Sequence, residues 1–271
     1  MILGTLQMAP VFGEPETNVR RATDLIVGSG ADLVVLPELV TSGYQFADRD
    51  ETLSLAEPVP DGASTRAFTE LARAENVLVC FGLPEIDGDK LYNTAVLVGP
   101  EGPLLVYRKS HLFWDEFDIF TPGDLGFPVV DLPAFGTRVG IEICFDWVFP
   151  EATRLLALAG AEVVLHPSNL VLPYCQRAMV ARSLENGVFT VTTNRVGTEQ
   201  RAGKDALAFT GGSQILDVKG EKLAGFGPDE EGLALAGIDP ATARNKMLTP
   251  RNDILGDRRP NLYGPLAETA E

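Results

Sequence analysis

Cys144 is the residue whose type and position most directly suggest chemistry. It ends an apolar segment and precedes Pro150, which suits the first turn of a helix, in the sequence Gly140-Ile-Glu-Ile-Cys-Phe-Asp-Trp-Val-Phe-Pro-Glu151. A strand-to-helix junction exposes a side chain at the carboxyl edge of a sheet, near backbone N–H groups that lower a thiol pKa and can hold an oxyanion. The position predicts a nucleophile. The alternative is a buried small hydrophobic residue.

The other two cysteines and the two histidines are weaker candidates for catalytic residues. Cys80 lies inside the apolar run Val-Leu-Val-Cys-Phe and is predicted to be core, whereas Cys175 follows Pro-Tyr in a loop and could be core or site. A thiol nucleophile usually takes its base from histidine, and only His111 and His166 are available. His166 ends an apolar strand, which favours a hydrogen-bonded wall residue. A Cys-His hydrolase using either histidine stays open as an alternative.

A buried carboxylate can replace histidine as the base when burial raises its pKa. Glu38 is such a candidate because it directly follows the buried strand that ends at Pro37. A carboxylate at that position is unfavourable to bury without a partner. Lys109 also directly follows a predicted strand and could supply that partner; the alternative is an exposed lysine at a strand end.

The elements that position these residues follow an α/β pattern, in which short apolar runs alternate with segments of helical periodicity. We expect a helix N-cap at Ser64, a hairpin between the fourth and fifth strands, and a functional or mobile loop at 110–128. The predicted strands are Ile2–Met8, Leu33–Leu36, Val77–Gly82, Leu91–Val98, Leu104–Arg108, Val139–Cys144, Val163–His166, Thr190–Val196, Ser213–Val218 and Leu233–Ile238, and the predicted helices are Glu14–Val27, Thr65–Glu75, Pro150–Ala159 and Gln176–Glu185.

Composition excludes several classes of function. The chain has 271 residues, with 22 Lys and Arg against 38 Asp and Glu, so its net charge is −16. Phosphate backbones and anionic lipid surfaces repel such a chain, and we expect neither nucleic acid nor membrane as a partner. The sequence has no CxxC or HxxxH pair, which are the spacings typical of a zinc site. Free thiols and the lack of a bilayer-length apolar run predict a cytoplasmic protein, with one domain over 1–271 whose tail, 246–271, packs on the domain or on a second subunit.

The contexts Leu36-Pro-Glu-Leu, Tyr107-Arg-Lys-Ser-His-Leu-Phe and Gly140-Ile-Glu-Ile-Cys-Phe-Asp resemble the Glu-Lys-Cys signature of the carbon–nitrogen hydrolase family, also called the nitrilase superfamily. Further similar segments occur along the chain in the family's order. The similarity is greatest to compact amidases and nitrilases of thermophilic archaea and related bacteria. The further segments are Phe149-Pro-Glu-Ala-Thr-Arg, Ala161-Glu-Val-Val-Leu-His-Pro-Ser-Asn, Ala181-Arg-Ser-Leu-Glu-Asn, Asn194-Arg-Val-Gly and Phe209-Thr-Gly-Gly-Ser.

The resemblance implies a four-layer αββα sandwich with mixed sheets, dimerising as αββα–αββα. It also implies that Cys144 is the nucleophile, Glu38 the general base and Lys109 the cation beside the oxyanion. A second glutamate of the family corresponds to Glu116, for which the alternative is a solvated acid. No metal or organic cofactor is implied.

The function that we expect is hydrolysis of a small aliphatic carboxamide to acid and ammonia through a cysteine thioester. Nitrile hydrolysis, N-carbamoyl amide hydrolysis with Arg177 as a carboxylate anchor, and a catalytically silent scaffold are the alternatives. Asp146 is expected to cap the following helix or pair with Arg195, and Arg182–Glu185 and Glu151–Arg154 are expected ion pairs. The predicted substrate-binding residues are Tyr44, Trp114, Phe145 (whose backbone N–H would bind the oxyanion), Trp147, His166 and Asn169.

Overall fold

The structure is a computed structural model and describes residues 1–268. The strands are β1 (Ile2–Gln7), β2 (Leu33–Val35), β3 (Leu78–Asp87), β4 (Lys90–Gly99), β5 (Gly102–Arg108), β6 (Val129–Leu132), β7 (Thr137–Ile141), β8 (Val163–Pro167), β9 (Phe189–Thr193), β10 (Thr198–Glu199), β11 (Leu207–Ala208), β12 (Gln214–Leu216), β13 (Lys222–Gly225), β14 (Gly232–Gly237), β15 (Met247–Thr249) and β16 (Asn252–Asp253). The α-helices are α1 (Pro15–Ile26), α2 (Arg49–Leu55), α3 (Ala63–Glu75), α4 (Glu116–Ile119), α5 (Pro150–Leu158) and α6 (Cys175–Asn186), and the 3-10 helices are Pro133–Phe135, Cys144–Val148, Pro240–Arg244, Pro260–Leu262 and Gly264–Ala267.

Two six-stranded sheets form the centre of the molecule. The first has the order β14-β1-β2-β3-β4-β5 and the second the order β13-β12-β9-β8-β7-β6. In each sheet three central strands run parallel, and the outer strands pair antiparallel. Because the carboxyl ends of parallel strands share one edge, each sheet presents one edge on which side chains can converge.

The sheets pack face to face, and helices cover their outer faces. Strands β1, β2 and β3 contact β8, β9 and β12 across the middle, while α1 and α3 contact the first sheet and α6 contacts the second. The inner core, which includes Leu3, Val35, Ile141 and Val191, is buried between the sheets. A second core joins α1 and α3 to the first sheet. The predicted four-layer α/β sandwich with mixed sheets is therefore confirmed.

Most predicted elements are confirmed, and the exceptions have local causes. Ser64 is not an N-cap: the helix begins at Ala63, and the Glu57 carboxylate accepts hydrogen bonds from Ser64 N at 2.7 Å and Ser64 Oγ at 2.5 Å. The strand predicted to reach Cys144 ends at Ile141, although Ile143 is still extended and the backbone turns only at Cys144. Helices α2 and α4 and the short strands β6, β10, β11, β13, β15 and β16 were not predicted, because none of them carries a continuous apolar run.

The segment from Lys246 to Glu268 lies against the end of α6 and the first half of α5. Lys246 Nζ donates hydrogen bonds to Asn186 O at 2.9 Å and Gly187 O at 2.8 Å. Ile254 and Leu266 line a groove beside Arg154. The last residues of the predicted tail, 269–271, lie outside the described residues. Within residues 1–268, no helix combines the length and apolarity that crossing a membrane requires.

Candidate active site

The three residues predicted to do chemistry lie just beyond the carboxyl ends of three strands. Glu38 follows β2, Lys109 follows β5 and Cys144 follows β7. Each is at least 95% buried, with exposed fractions of 1%, 1% and 5%. The facing edges of the two sheets thus bring together residues that are far apart in sequence.

Glu38 is held by a close approach of two backbones. A Cβ atom on Gly82 of β3 would lie 2.4 Å from Leu39 N and 2.8 Å from Glu38 Cα, so only glycine fits beneath this segment. The next residue, Leu39, has φ +46°, which turns the chain away immediately after the carboxylate. A side chain at position 82 would therefore displace Glu38 from the site.

Cys144 occupies a tight turn at the start of the 3-10 helix Cys144–Val148. Its φ is +42°, an unfavourable conformation for a residue other than glycine. Asp146 fixes the turn, since its Oδ2 accepts hydrogen bonds from Ile143 N at 2.8 Å and from Tyr107 Oη at 2.7 Å. The first N–H groups of a helix have no partner inside it, and the N–H of Phe145 is the second in this helix.

A single ammonium group joins two buried carboxylates beside this turn. Lys109 Nζ donates to Glu38 Oε1 and to Glu116 Oε1, both at 2.7 Å. Glu38 Oε1 also accepts from Asn93 Nδ2 at 2.7 Å, and Glu116 Oε1 accepts from Tyr44 Oη at 2.8 Å. Within the described residues, Glu38 Oε2 is buried without a hydrogen-bond partner. It is the oxygen of Glu38 that remains able to accept a proton.

Burial and mutual charge set the protonation of this cluster. Burial raises the pKa of the Cys144 thiol well above its ordinary value; Glu38 raises it further, and Lys109 opposes the shift. Burial also raises the pKa of Glu116 to about 7. The charge of Lys109 lowers this pKa, and the charge of Glu38 raises it. Although burial opposes it, the two carboxylates raise the pKa of Lys109, which stays charged. The resting site therefore holds a thiol and one ammonium group that two carboxyl groups share.

Known proteins share this arrangement of sequence and fold. Residues 2–246 match the family model described as carbon-nitrogen hydrolase. The chain belongs to the carbon–nitrogen hydrolase family. It is 47% identical over 261 residues to a nitrilase of Pyrococcus abyssi, which covers 95% of this chain and 97% of that one, and 36% identical to an (R)-stereoselective amidase of a Pseudomonas species, over 99% and 95% of the two chains. A crystal structure of an amidase from a Nesterenkonia species superposes with a TM-score of 0.81 at 27% identity, over 97% of this chain and 95% of that one.

The predicted wall residues of this carbon–nitrogen hydrolase divide between two adjacent cavities. Phe145, Trp147 and Asn169 line a small recess together with Cys144. Tyr44 and Trp114 instead line a larger cavity of about 420 Å³, which Glu116 also faces. The Asn169 side chain donates to Glu38 O at 2.9 Å and so also holds the loop that carries Glu38.

The two histidines lie near the site but are committed to other contacts. His166 is fully buried; its Nε2 donates to Cys144 O at 2.9 Å, and burial lowers its pKa to about 4. It lines neither of these two cavities and supports the Cys144 turn from behind, so its contact with substrate stays a prediction. His111 stacks on Phe149 and pairs through Nδ1 with Asp146 Oδ1 at 2.7 Å.

Several other expected contacts are corrected. Within the described residues Asp146 neither caps α5 nor pairs with Arg195, because its oxygens are occupied by the groups around the Cys144 turn. Arg154 donates to Glu185 O at 2.8 Å and makes no ion pair with Glu151 within the described residues. The Arg182–Glu185 pair forms at 2.9 Å.

The remaining candidates lie away from the reacting groups. Arg177 is exposed, with its guanidinium 6.0 Å from the centroid of the Tyr174 ring, and lines neither of the two cavities. Cys80 belongs to the core, as predicted, and Cys175 is also fully buried there.

Arg195 and Glu199 form a buried pair that the sequence analysis did not connect to the site. Glu199 accepts hydrogen bonds from Tyr44 N at 3.1 Å and Gln45 N at 2.7 Å, while Arg195 binds its other oxygen and stacks over Phe209. The carboxylate thereby holds the loop whose tyrosine donates to Glu116. In the sequence, only the four-residue spacing between Arg195 and Glu199 could have indicated this ion pair.

Replacing Glu199 by glutamine should loosen this loop. We expect Glu199→Gln to lower the free energy of unfolding by about 2 kcal/mol, because a buried guanidinium loses its charged acceptor. Through Tyr44 we expect kcat/KM to fall about tenfold. Urea denaturation and amide hydrolysis measure the two effects, with the exposed Glu101→Gln as control. If the effects of Glu199→Gln and Tyr44→Phe on kcat/KM were fully additive, the link would be wrong.

Glu142 is a second buried acid that the sequence analysis left without a role. It lies two residues before Cys144, is fully buried, and accepts from Thr153 Oγ1 at 2.8 Å through Oε2. Burial raises its pKa to about 8; Asp146 raises it further, whereas the Thr153 hydrogen bond and Arg182 lower it. The folded protein thus keeps this carboxyl group protonated at neutral pH.

This carboxyl group should make stability depend on pH. Its pKa is higher in the folded chain than the ordinary value of 4.5, so between pH 4.5 and about 8 the folded state binds more protons than the unfolded state. Stability should then fall as pH rises through that range, by up to about 1.4 kcal/mol per pH unit. We expect Glu142→Gln, which is neutral at every pH, to flatten this slope in urea denaturation at pH 5, 6.5 and 8. An unchanged slope would show that Glu142 does not titrate in this range.

Proposed function

We propose that this carbon–nitrogen hydrolase converts small aliphatic carboxamides to carboxylic acid and ammonia, with Cys144 as nucleophile. The observation that supports this most concerns the carboxylate of buried Glu38. Its Oε2 has no hydrogen-bond partner within the described residues, whereas its Oε1 binds the ammonium group of Lys109. The thiol of Cys144 lies close enough for the charge of Glu38 to raise its pKa. A base, a nucleophile and a fixed cation are the groups that acyl transfer from an amide requires.

Each group has one role in the proposed reaction. Glu38 accepts the thiol proton as Cys144 Sγ bonds to the amide carbon, and the carbonyl electrons move to an oxyanion held by Lys109 Nζ and the Phe145 N–H. The C–N bond then breaks, Glu38 protonates the nitrogen, and ammonia leaves a thioester. Water, deprotonated by Glu38, attacks the thioester, and the thiol regains its proton as the acid departs.

Glu116 and Tyr44 hold the cation in this scheme. Glu116 Oε1 binds Lys109 Nζ from the side opposite Glu38, and Tyr44 Oη donates to that same oxygen. Lys109 therefore has two fixed acceptors, which set where its remaining N–H points. We propose that Glu116 is a positioning residue that keeps this N–H directed at the developing oxyanion.

Nitrile hydrolysis is the second candidate, and the 47% identity to a nitrilase favours it. The same thiol would add to the nitrile carbon, and hydrolysis of the resulting thioimidate would give the same thioester. The two candidates differ only in the substrate that the cavities accept.

Ammonia release from matched pairs of amides and nitriles with the same alkyl group tests the proposal. We expect amides to be hydrolysed, and Glu38→Gln to reduce kcat by about 10³-fold because the thiol proton has no acceptor. Glu70→Gln, an exposed substitution on α3, serves as the control and should act like the natural chain. Turnover of nitriles without any amide would refute the first candidate. Full activity of Glu38→Gln would refute the assigned base.

A further inference from the structure

A cavity of about 420 Å³ opens beside the reacting groups and has no assigned role in the scheme above. Phe113, Val171 and Leu172 line both this cavity and the recess that contains Cys144. Glu116 reaches it from the catalytic cluster. We call it the acyl chamber, because a substrate whose carbonyl carbon meets Cys144 can extend into it past these shared walls.

The walls of the acyl chamber are mainly apolar. Aromatic and branched aliphatic side chains form most of its surface, and Trp114 stands at its rim with 77% of its surface exposed. A cavity of this size accommodates a group much larger than the methyl or ethyl of the smallest amides. The apolar residues are Phe46, Phe113, Trp114, Ile119, Phe120, Val171, Leu172 and Leu207.

Two polar side chains of the chamber, Lys204 and Gln45, already have partners. Lys204 Nζ donates to Asp115 Oδ2 at 2.8 Å and to Phe46 O at 2.9 Å. Gln45 Nε2 donates to Asp205 O at 2.7 Å, and its Oε1 accepts from the Arg201 N–H at 2.6 Å. A substrate that needed a polar partner here would have to break one of these contacts.

The charges of the chamber disfavour an anionic substrate. Asp115, Glu116 and Asp205 line it against one cation, Lys204, whose charge Asp115 balances. A carboxylate entering the chamber would lose its hydration without gaining a free cation. Arg177, the candidate carboxylate anchor, lines neither cavity.

We propose that the acyl chamber binds an uncharged, apolar acyl group up to the size of a phenylalkyl chain. The proposal rests on the proposed function and specifies its substrate class: amides of apolar acids are hydrolysed, and amides or carbamoyl compounds that carry a free carboxylate are discriminated against. Burial of the apolar group favours binding of apolar substrates, and the acidic side chains of the chamber disfavour substrates that carry a carboxylate.

Two matched substrate pairs test this on the purified chain. We expect kcat/KM for 3-phenylpropanamide to exceed that for propanamide at least about tenfold. We expect 4-methylpentanamide to exceed succinamate, in which a carboxylate replaces the similarly shaped isopropyl group, at least about 100-fold. A succinamate value equal to or above that of 4-methylpentanamide would overturn the proposal.

Two variants locate the effect in the chamber. Leu207→Trp fills it and should lower kcat/KM for 3-phenylpropanamide at least about tenfold more than for propanamide. Leu223→Trp, at an exposed leucine on β13, is the matched control and should preserve the ratio. Asp115→Asn removes the partner of Lys204 and should raise succinamate hydrolysis relative to 4-methylpentanamide about tenfold. Equal losses on both amides in Leu207→Trp, or no rise with Asp115→Asn, would contradict the chamber assignment.

The results also separate this proposal from the one on which it rests. If the chain releases ammonia from none of the four amides, the proposed function fails. If propanamide is hydrolysed but the phenyl group gives no gain, the function stands and the acyl-chamber proposal is overturned.

Discussion

Replacing Cys144 by alanine is expected to reduce amide hydrolysis at least about 10⁴-fold, because no other group can form the thioester. Alanine removes only the sulfur and keeps the backbone at its positive φ, so the fold should persist. Cys144→Ser is expected to be nearly as inactive, since a hydroxyl is far harder to deprotonate than a thiol. Steady-state ammonia release and thermal denaturation measure the two properties.

Cys80→Ala is the matched control for Cys144→Ala. It also removes a buried thiol, but from the inner core rather than from the recess, so it should lower stability by about 1 kcal/mol and retain activity. Alkylation with iodoacetamide and peptide mapping should identify Cys144 as the modified residue in the natural chain. More than about 1% of the original turnover in Cys144→Ala would exclude this residue as the nucleophile.

Replacing Lys109 by methionine is expected to cost both stability and activity. Methionine has a similar length and no charge, and it would leave Glu38 and Glu116 facing each other in a buried site. We expect the free energy of unfolding to fall by about 3–5 kcal/mol at pH 8. The loss should be smaller at pH 5, because burial raises the pKa of Glu116 to about 7 and protonation of that carboxyl group removes the repulsion. We expect kcat/KM to fall about 10³-fold for want of the oxyanion partner.

A second substitution separates these two effects of Lys109. In Lys109→Met with Glu116→Gln, the carboxylate repulsion is gone, so stability at pH 8 should largely recover while activity stays low. Lys219→Met, at an exposed lysine, should change neither property. A Lys109→Met variant with natural stability at pH 8 would mean that the two carboxylates do not depend on this ammonium.

The three residues at the centre of the candidate site could be singled out in the sequence because they carry local signals. Glu38, Lys109 and Cys144 each follow an apolar strand, and a polar side chain at such a position is conspicuous against its surroundings. Glu116 came from the family resemblance alone, since nothing near it distinguishes it from other acids in an acidic loop.

Contacts between distant loops could not be predicted in the same way. Tyr44 Oη reaches Glu116 across 72 residues of sequence, and Glu199 holds the Tyr44 loop from a third segment. Asp146 and Arg195 look like complementary charges in the sequence, but each has another partner. The strands that precede them, β7 and β9, are separated by β8 in the second sheet. These contacts depend on which loops the sandwich brings together, and the hydrophobic periodicity of the sequence does not indicate that.

The acyl chamber and the reacting groups are built from different parts of the chain, and this has a consequence for how the protein can evolve. Glu38, Lys109 and Cys144 follow buried strands, whereas the chamber walls come from loops and short helices such as α4. Mutations in those walls, apart from Tyr44 and Glu116, which hold Lys109, can change the substrate range without moving the strand ends. Laboratory selection for new amides should therefore accumulate changes at positions such as Leu172 and Leu207 and leave Gly82 untouched.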